Sequence, residues 1–210
     1  MLPESMINCL CYGALQIEVM AFLSLAPENC SLEFLDTSLY QKAYIVEQKR
    51  FNPGPNPPAL KSVMGMRDSL GLLMREGNTP IGYVVGADLS SYNKRKGSKQ
   101  GPDDTKTFFI YDLAAVKSDP QTELNVCDTL LYKLENLLCV SYKVGGRGAD
   151  RDYTDLMLVL PESPKNHGLS QMLIDAGYEK NEKRQNGSKF FEFITKLDVD
   201  TQDEEEFELD

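Results

Sequence analysis

The sequence predicts a mixed α/β domain whose sheet carries helices on both faces. Residues 107–138 contain a mostly apolar run, a polar segment with Pro120, and then apolar residues at helical spacing, which predicts a strand, a loop and a helix. Residues 69–89 contain two apolar runs around a short polar turn, which predicts a hairpin. The whole chain is expected to run helix, strand, helix, helix, strand, strand, strand, helix, strand, helix, strand.

The first predicted element is a helix over residues 6–25, the most apolar stretch of the chain. Asn8, Gln16 and Glu18 interrupt it and no basic segment precedes it, so we interpret it as a packing helix rather than a membrane span or a signal peptide. Residues 1–30 are therefore expected to form a helical extension. Its apolar face needs cover from the domain, from a protein partner or from a second copy of the chain.

The main domain is expected to span residues 31–199 and to begin with a short strand at residues 32–35. Asp36, Thr37 and Ser38 are good helix caps, and residues 39–51 follow as a helix. The prolines of NPGPNPP, residues 52–58, end that helix. Residues 59–68 then predict a second, short helix.

The hairpin strands are predicted at residues 69–75 and 80–89. Gly77 lies in the turn, where it can supply the positive φ that tight hairpins need. Gly82 and Gly86 lie inside the return strand and indicate either a close backbone approach or a bulge.

Residues 90–106 are predicted to be a polar loop. Its basic residues are either a small patch for an anionic ligand or part of a solvated loop; they are Lys94, Arg95, Lys96 and Lys99. A buried strand over residues 107–116 and a polar segment over residues 117–122 lead into a helix from Leu124. A strand that feeds a helix in this way points backbone N–H groups at the helix start, where many folds hold phosphate.

The remaining chain predicts a glycine-rich loop at residues 144–150, a strand at 156–160, a helix at 169–176, a polar turn at 180–188 and a last strand at 189–199. Gly177 is well placed as the glycine that ends the helix. Residues 200–210 are an acidic tail that we expect to be disordered.

Charge and cysteine usage exclude some classes of protein. The formal net charge of -10 argues against nucleic-acid binding, which depends on attraction to phosphate. Five scattered cysteines do not form a disulfide framework, so we expect reduced thiols and a cytoplasmic, intracellular protein. Cys9 and Cys11 have no second pair of ligands and predict no metal site. His167, the only histidine, is expected at the surface or at a helix cap.

Four phrases in this order resemble the GNAT superfamily of acyl-CoA-dependent N-acyltransferases, over roughly residues 32–199. LYQKAYIVEQKRFNP is similar to the family's first helix, LLMREGNTPIGYVVG to its second and third strands, IYDLAAV to its fourth strand, and IDAGYEK to the phrase before its last strand. The resemblance implies a GNAT-like fold in which the fourth and fifth strands splay apart around the pantetheine arm of acetyl-CoA. It implies that the pyrophosphate lies on N–H groups at the start of the next helix.

Carried onto this chain, the resemblance implies that the pantetheine meets Leu113, Ala114, Ala115 and Val116. It implies that the pyrophosphate meets Thr122, Glu123, Leu124, Asn125, Val126 and Cys127. The family's loop has Arg or Gln, any two residues, Gly, any residue, and Gly or Ala, whereas the matching positions here are Thr122, Asn125 and Cys127. The position of the family's proton-donating tyrosine is Leu173, which has no proton to give.

Two carboxylates are candidates for the general base that strips the amine of its proton: Asp112 on the fourth strand and Glu76 at the hairpin tip. Tyr111, Tyr178 and Tyr132 are candidates for the missing acid. Cys127 is either a reactive thiol at the helix start or a packing residue.

Three readings remain open, and one of them is an unrelated α/β domain that binds an anionic ligand. The resemblance implies an N-acetyltransferase that moves acetyl from acetyl-CoA to a primary amine of a small molecule or protein. The altered loop, the missing tyrosine and the N-terminal helix favour instead a catalytically inactive GNAT-like domain that binds a protein partner or serves in an assembly.

Overall fold

The computed structural model describes residues 29–35, 43, 46, 62–66, 69–97, 106–116, 119–143, 153–185 and 187–197. Seven strands form one mixed sheet: β1 (Cys30–Phe34), β2 (Leu70–Glu76), β3 (Thr79–Asp88), β4 (Thr107–Ala115), β5 (Asp155–Pro161), β6 (Glu179–Gln185) and β7 (Ser188–Lys196). The helices with described ends are α1 (Leu89–Lys96), α2 (Pro120–Lys143) and α3 (His167–Asp175), and a 3-10 turn (Pro164–Asn166) precedes α3.

The strands lie side by side in the order β1-β2-β3-β4-β5-β7-β6. Every neighbouring pair is antiparallel except β4 and β5, which are parallel. A parallel pair needs a crossover connection, and α2 lies in the chain between these two strands. The predicted α/β class is confirmed, and the parallel pair lies in the middle of the sheet.

Helices cover both faces of the sheet, as predicted. On one face the apolar side of α2, with Leu130 and Leu134 fully buried, packs together with α3 against the strands. On the other face Ala43 and Val46, both helical, and Val63 of a helical turn pack against Tyr83 and Ala114. Burial of apolar surface on both faces is the main stabilising contribution to such a sheet.

The three glycine predictions in the hairpin are confirmed. Gly77 has a φ of +57° in the turn. A Cβ at Gly82 would lie 2.6 Å from Val126 Cγ1, so α2 packs directly on the backbone of β3. The β3–β4 register shifts between Val85 and Gly86, where a Cβ would also meet the backbone oxygen of Phe109 at 2.5 Å.

The prediction of a polar loop from residue 90 is wrong over the first part of that segment, because residues 89–96 form α1. The Asp88 carboxylate caps this helix and accepts a hydrogen bond from the Ser91 N–H at 2.7 Å. Gly97 ends the helix with a φ of +69°. The basic residue Lys94 is exposed in its last turn.

The helix that follows β4 begins at Pro120 rather than at Leu124. Proline is favoured in the first position of a helix because its missing N–H would have no partner there. The preceding residue, Asp119, accepts hydrogen bonds from the N–H of Thr122 at 2.8 Å and from the Thr122 hydroxyl at 2.6 Å. The predicted polar segment is therefore shorter, and its proline starts the helix.

The predicted turn at residues 180–188 is also wrong, because most of it is strand β6. All seven side chains of β6 are exposed and it pairs with β7 alone, so it forms one edge of the sheet. Charged side chains are typical of such edges because they oppose pairing with another chain. The predicted helix end is confirmed: Gly177 has a φ of +90°, and the Tyr178 N–H bonds to the Leu173 carbonyl at 2.9 Å.

Some predicted segments lie outside the described residues. They are the helix at residues 6–25, most of the helix at residues 39–51, the proline-rich break at residues 52–58, the glycine-rich loop at residues 144–150 and the acidic tail at residues 200–210.

Candidate active site

Strands β4 and β5 separate partway along their length. They pair only between Thr107–Ile110 of β4 and Asp155–Leu158 of β5. Among the described residues, β4 beyond Ile110 pairs with β3 as far as Ala115, and β5 beyond Leu158 pairs with β7 as far as Pro161. We call this opening the split; along it the facing edges of β4 and β5 do not pair with each other.

A β-bulge lies where the split opens. Val85 of β3 pairs with Asp112 and Gly86 pairs with Ile110, so Tyr111 is an extra residue on β4. A bulge bends its strand, increases the local twist and redirects nearby side chains. The bend at Tyr111 gives a physical reason for β4 to leave β5 at this point.

The main-chain groups that face the split follow from the alternation along an antiparallel strand. The Val116 N–H bonds to the Ile81 carbonyl at 2.8 Å, so the polar groups of Val116, and of Ala114 two residues earlier, face β3. Those of Leu113 and Ala115 therefore face the opposite way, towards the split. Leu113, Ala114 and Ala115 are buried, and Val116 is half-buried.

Asp112 is held by donors from two strands. Its Oδ2 accepts a hydrogen bond from the Tyr83 hydroxyl of β3 at 2.6 Å. Its Oδ1 accepts one from the N–H of Leu113 at 2.9 Å. The structure thus places the predicted base at the mouth of the split, next to half-buried Tyr111.

The first turn of α2 already binds an anion, the carboxylate of Asp119. The hydroxyl and N–H groups of Thr122 lower the pKa of this carboxyl, because they stabilise its charged form. The Glu123 N–H bonds to the main-chain oxygen of Asp119 at 3.2 Å. The N–H groups of Thr122 and Glu123, which the resemblance assigns to the pyrophosphate, therefore already have acceptors within the chain.

The other predicted phosphate ligands lie further along α2. Leu124, Asn125, Val126 and Cys127 are inside the helix, where each N–H is expected to bond to the preceding turn. Cys127 is 4 % exposed and belongs to the core, which fits its interpretation as a packing residue.

A groove of about 510 Å³ runs between the first half of α2 and α3. Its lining is Gln121, Leu124, Asn125, Asp128, Gly168, Gln171, Met172, Asp175 and Ala176. Among these residues the charged ones are both acidic, Asp128 and Asp175. The groove leads to the start of α2 beside the split, and its side chains repel phosphate groups rather than bind them.

The candidates for the general acid differ in burial and in their distance from the split. Leu173 is fully buried in the core, and Tyr132 is 59 % exposed on α2. Tyr178 is buried and its hydroxyl donates to Glu135 Oε1 at 2.5 Å. Burial, followed by the charge of Glu135, raises the pKa of the Tyr178 hydroxyl far above its usual range, so Tyr178 is a poor proton donor. Tyr111 is the candidate that lies at the split.

The remaining candidates lie apart from the split. Glu76 ends β2 at the hairpin turn and is exposed. His167 is exposed at the first position of α3, where it lines a separate groove of about 590 Å³ bounded by β5, β7 and the start of α3. Within the described ranges, no three His, Cys, Asp or Glu side chains are placed to hold a metal ion.

Sequence reasoning missed Tyr83, Tyr92 and Asp119. Finding Tyr83 requires the β3–β4 register, which a single sequence does not give. Tyr92 lies on the unpredicted helix α1 and its ring is 6.0 Å from that of Tyr111. A recognisable pattern did exist for Asp119, because Asp immediately before Pro is typical of a helix start.

Solved structures of low sequence identity share this architecture. The ribosomal-protein-S18-alanine N-acetyltransferase from Escherichia coli matches with a TM-score of 0.54 at 14 % identity, over 80 % of this chain and 94 % of its own. The aminoglycoside acetyltransferase AAC(6')-Ib in complex with coenzyme A matches with a TM-score of 0.53 at 14 % identity, over 81 % and 96 %. A GNAT-family acetyltransferase from Bacillus cereus matches with a TM-score of 0.51 at 11 % identity, over 80 % and 96 %.

No family model matches the sequence, and no curated protein matches it. In the part of the chain that the structure describes, no helix is long and apolar enough to cross a membrane. The structural matches, the strand order and the split agree with the resemblance in the sequence. The chain has the fold of the GNAT acetyltransferases.

Proposed function

We propose that this protein is an N-acetyltransferase that transfers acetyl from acetyl-CoA to a primary amine. The observation that carries the proposal is the split, which opens a main-chain edge of β4 beside a carboxylate and a phenol. Main-chain N–H and C=O groups at such an edge can pair with an extended chain of amides. The pantetheine arm of acetyl-CoA is a chain of that kind.

The described residues fit one part of acetyl-CoA better than another. Leu113 and Ala115 are proposed to pair with the pantetheine, Leu113 through its carbonyl because its N–H donates to Asp112 Oδ1 at 2.9 Å. Ala114 and Val116 are proposed to complete that stretch of β4. The start of α2, at Thr122 and Glu123, is the proposed place of the pyrophosphate. There Asp119 competes for the same N–H groups, so we expect weaker binding than an uncapped helix start would give.

The groove between α2 and α3 is proposed to take the adenine and ribose of the cofactor. Leu124 and Asn125 line it, whereas Val126 and Cys127 are buried and pack α2 against the core. Asp128 and Asp175 in the same groove work against phosphate groups.

Asp112 and Tyr111 are the proposed catalytic residues. The amine nitrogen attacks the carbonyl carbon of the thioester, so that a C–N bond forms and the C–S bond breaks. Asp112 accepts the proton that the amine gives up, and Tyr111 gives a proton to the departing thiolate of CoA. Both residues lie at the bulge, where β4 leaves β5.

The test begins with a calorimetric titration of the purified protein with acetyl-CoA and, separately, with CoA. Micromolar binding, about -8 kcal/mol, and a rise in melting temperature support the proposal. Release of CoA is then followed with spermidine, an aminoglycoside and a lysine-rich peptide as acceptors. No binding and no turnover, from a protein that melts cooperatively, would refute it.

A second candidate function is a catalytically inactive GNAT-like domain that binds a protein partner. The capped start of α2 favours it, because a carboxylate occupies the place of a phosphate. The buried Leu173 at the position of the family's tyrosine favours it as well. The titration separates the two candidates, since an inactive domain of this kind shows neither CoA affinity nor turnover.

A further inference from the structure

We propose that Tyr83 is a positioning residue that orients the Asp112 carboxylate at the mouth of the split. The inference rests on the proposed function, in which Asp112 is the general base, and adds a residue that touches neither substrate. Its basis is a pair of hydrogen bonds that fix both oxygens of one carboxylate.

The contact between Tyr83 and Asp112 crosses from β3 to β4 diagonally. The register partner of Tyr83 is Ala114, and that of Asp112 is Val85. Asp112 and Ala114 are two residues apart and share a face of β4, so a long side chain on β3 can reach either. Because Ala114 is small, the Tyr83 side chain can extend past it to the carboxylate.

The position of the Tyr83 side chain is determined by the core around it. It is fully buried in the core that the helical residues Ala43 and Val46 also join. A buried phenol needs a hydrogen-bond acceptor, and Asp112 Oδ2 supplies one at 2.6 Å. The rigid core therefore sets the place of this oxygen.

The second oxygen is fixed by the main chain. Oδ1 accepts from the N–H of Leu113, whose polar groups face the split. Two donors in different directions prevent rotation of the carboxylate about its own axis. The two described hydrogen bonds use two of the about four acceptor positions of a carboxylate, and the proton of an incoming amine is proposed to take another. Fixed orientation of a base lowers the entropic cost of proton transfer.

A matched control exists on the other face of the sheet. Tyr178 is a second buried tyrosine whose hydroxyl donates to a carboxylate, that of Glu135, at 2.5 Å. This bond joins α2 to the segment between α3 and β6. Tyr83→Phe and Tyr178→Phe remove the same atom from the same kind of bond, but only the first bond is at the split.

The experiment compares the full chain with Tyr83→Phe, Asp112→Asn, the double variant and Tyr178→Phe. Turnover is measured with acetyl-CoA and whichever of spermidine, the aminoglycoside or the lysine-rich peptide is acetylated, with end-point mass spectrometry for slow variants. Melting temperature and the calorimetric Kd for acetyl-CoA are measured for each. These two readouts do not depend on turnover.

We expect Tyr83→Phe to lower kcat by about 10- to 100-fold, the loss typical of a hydrogen bond to a charged group, with Kd and KM for acetyl-CoA unchanged. Tyr178→Phe is expected to lower the melting temperature while kcat stays within twofold. On the Asp112→Asn background, Tyr83→Phe is expected to change kcat less than threefold, because its effect acts through Asp112. If Asp112→Asn leaves no measurable turnover, the contrast between the two Tyr→Phe variants decides.

The inference fails if Tyr83→Phe keeps kcat within twofold of the wild type, or if Asp112→Asn is as active as the wild type. Either result leaves acetyl transfer by the wild-type protein in place. A wild-type protein that neither binds acetyl-CoA nor acetylates an amine refutes the proposed function itself, which is a separate result.

Discussion

Replacement of Gly82 by alanine tests how closely α2 packs on the sheet. A Cβ at this position would lie 2.6 Å from Val126 Cγ1 and 3.1 Å from both Leu130 Cδ1 and the Ala114 carbonyl oxygen. Ordinary van der Waals contact begins near 3.4 Å, so the distance to Val126 must grow by about 0.8 Å. We expect overpacking of this size to lower the free energy of unfolding by about 1–3 kcal/mol.

Gly168→Ala is the matched control for this substitution. Gly168 lies in α3, and the nearest atoms to its Cβ would belong to the Leu124 side chain, at 3.3 Å or more. Because that contact is with the end of a flexible side chain, the gain from replacing a helical glycine is expected to prevail, at about 0.5–1 kcal/mol.

The assay is urea denaturation of the wild type and both variants, followed by circular dichroism. The expected result is a lower midpoint for Gly82→Ala and an equal or higher midpoint for Gly168→Ala, with unchanged slopes. Close packing of α2 on β3 is refuted if Gly82→Ala is as stable as the wild type, or if Gly168→Ala loses more stability than Gly82→Ala does.

Three further predictions concern the helix cap, a buried carboxyl and the bulge. Asp119→Ala is expected to lower the free energy of unfolding by about 0.5–2 kcal/mol yet to tighten CoA binding in calorimetry; unchanged or weaker CoA binding would contradict the competition. Burial raises the pKa of the Glu135 carboxyl, against the bond from Tyr178, so its stabilising contribution is complete below the unfolded-state pKa and is lost as pH rises through the folded-state pKa. Glutamine does not ionise, so the melting temperature of Glu135→Gln is expected to rise relative to that of the wild type as pH increases from below the unfolded-state pKa of Glu135 to neutral pH. A relative fall over that range would contradict the prediction. Gly86→Ala is expected to destabilise more than Gly82→Ala in urea, because its Cβ would meet the Phe109 backbone oxygen at 2.5 Å; a smaller loss would show that the bulge can relax.

Local patterns predicted what depends on short stretches of chain. Gly77 and Gly177 have the positive φ values that their places in a turn and at a helix end suggest. Gly82 and Gly86 were expected at close contacts or a bulge, and the structure has both. These features depend on one residue and its immediate neighbours, so a sequence pattern is sufficient to find them.

Elements without an apolar pattern were not predicted. Helix α1 is rich in polar residues, so its sequence has no apolar pattern, and the capping residues Asp88 and Gly97 were the available signals for a helix. Strand β6 has only exposed side chains and is strand because β7 pairs with it, so tertiary contact overrides its weak strand propensity.

The candidate site was only partly predictable. The family resemblance led to Asp112 and the β4 edge, and both lie at the split. Tyr83 reaches Asp112 from the neighbouring strand, 29 residues away in sequence, so it could be found only once the register was known. Asn125 and Cys127 were predicted at the start of α2, but the helix begins earlier, at Pro120, so both residues lie inside it.

The split has a consequence for how sequences of this architecture can diverge. Every amino acid except proline offers the same N–H and C=O groups, so a ligand that is read by the edge of a strand imposes little selection on the side chains there. Selection acts instead on backbone shape: on the extra residue at Tyr111 and on the glycine opposite it. A binding site of this kind can persist through extensive substitution, provided that insertions and deletions do not change the lengths of β3 and β4.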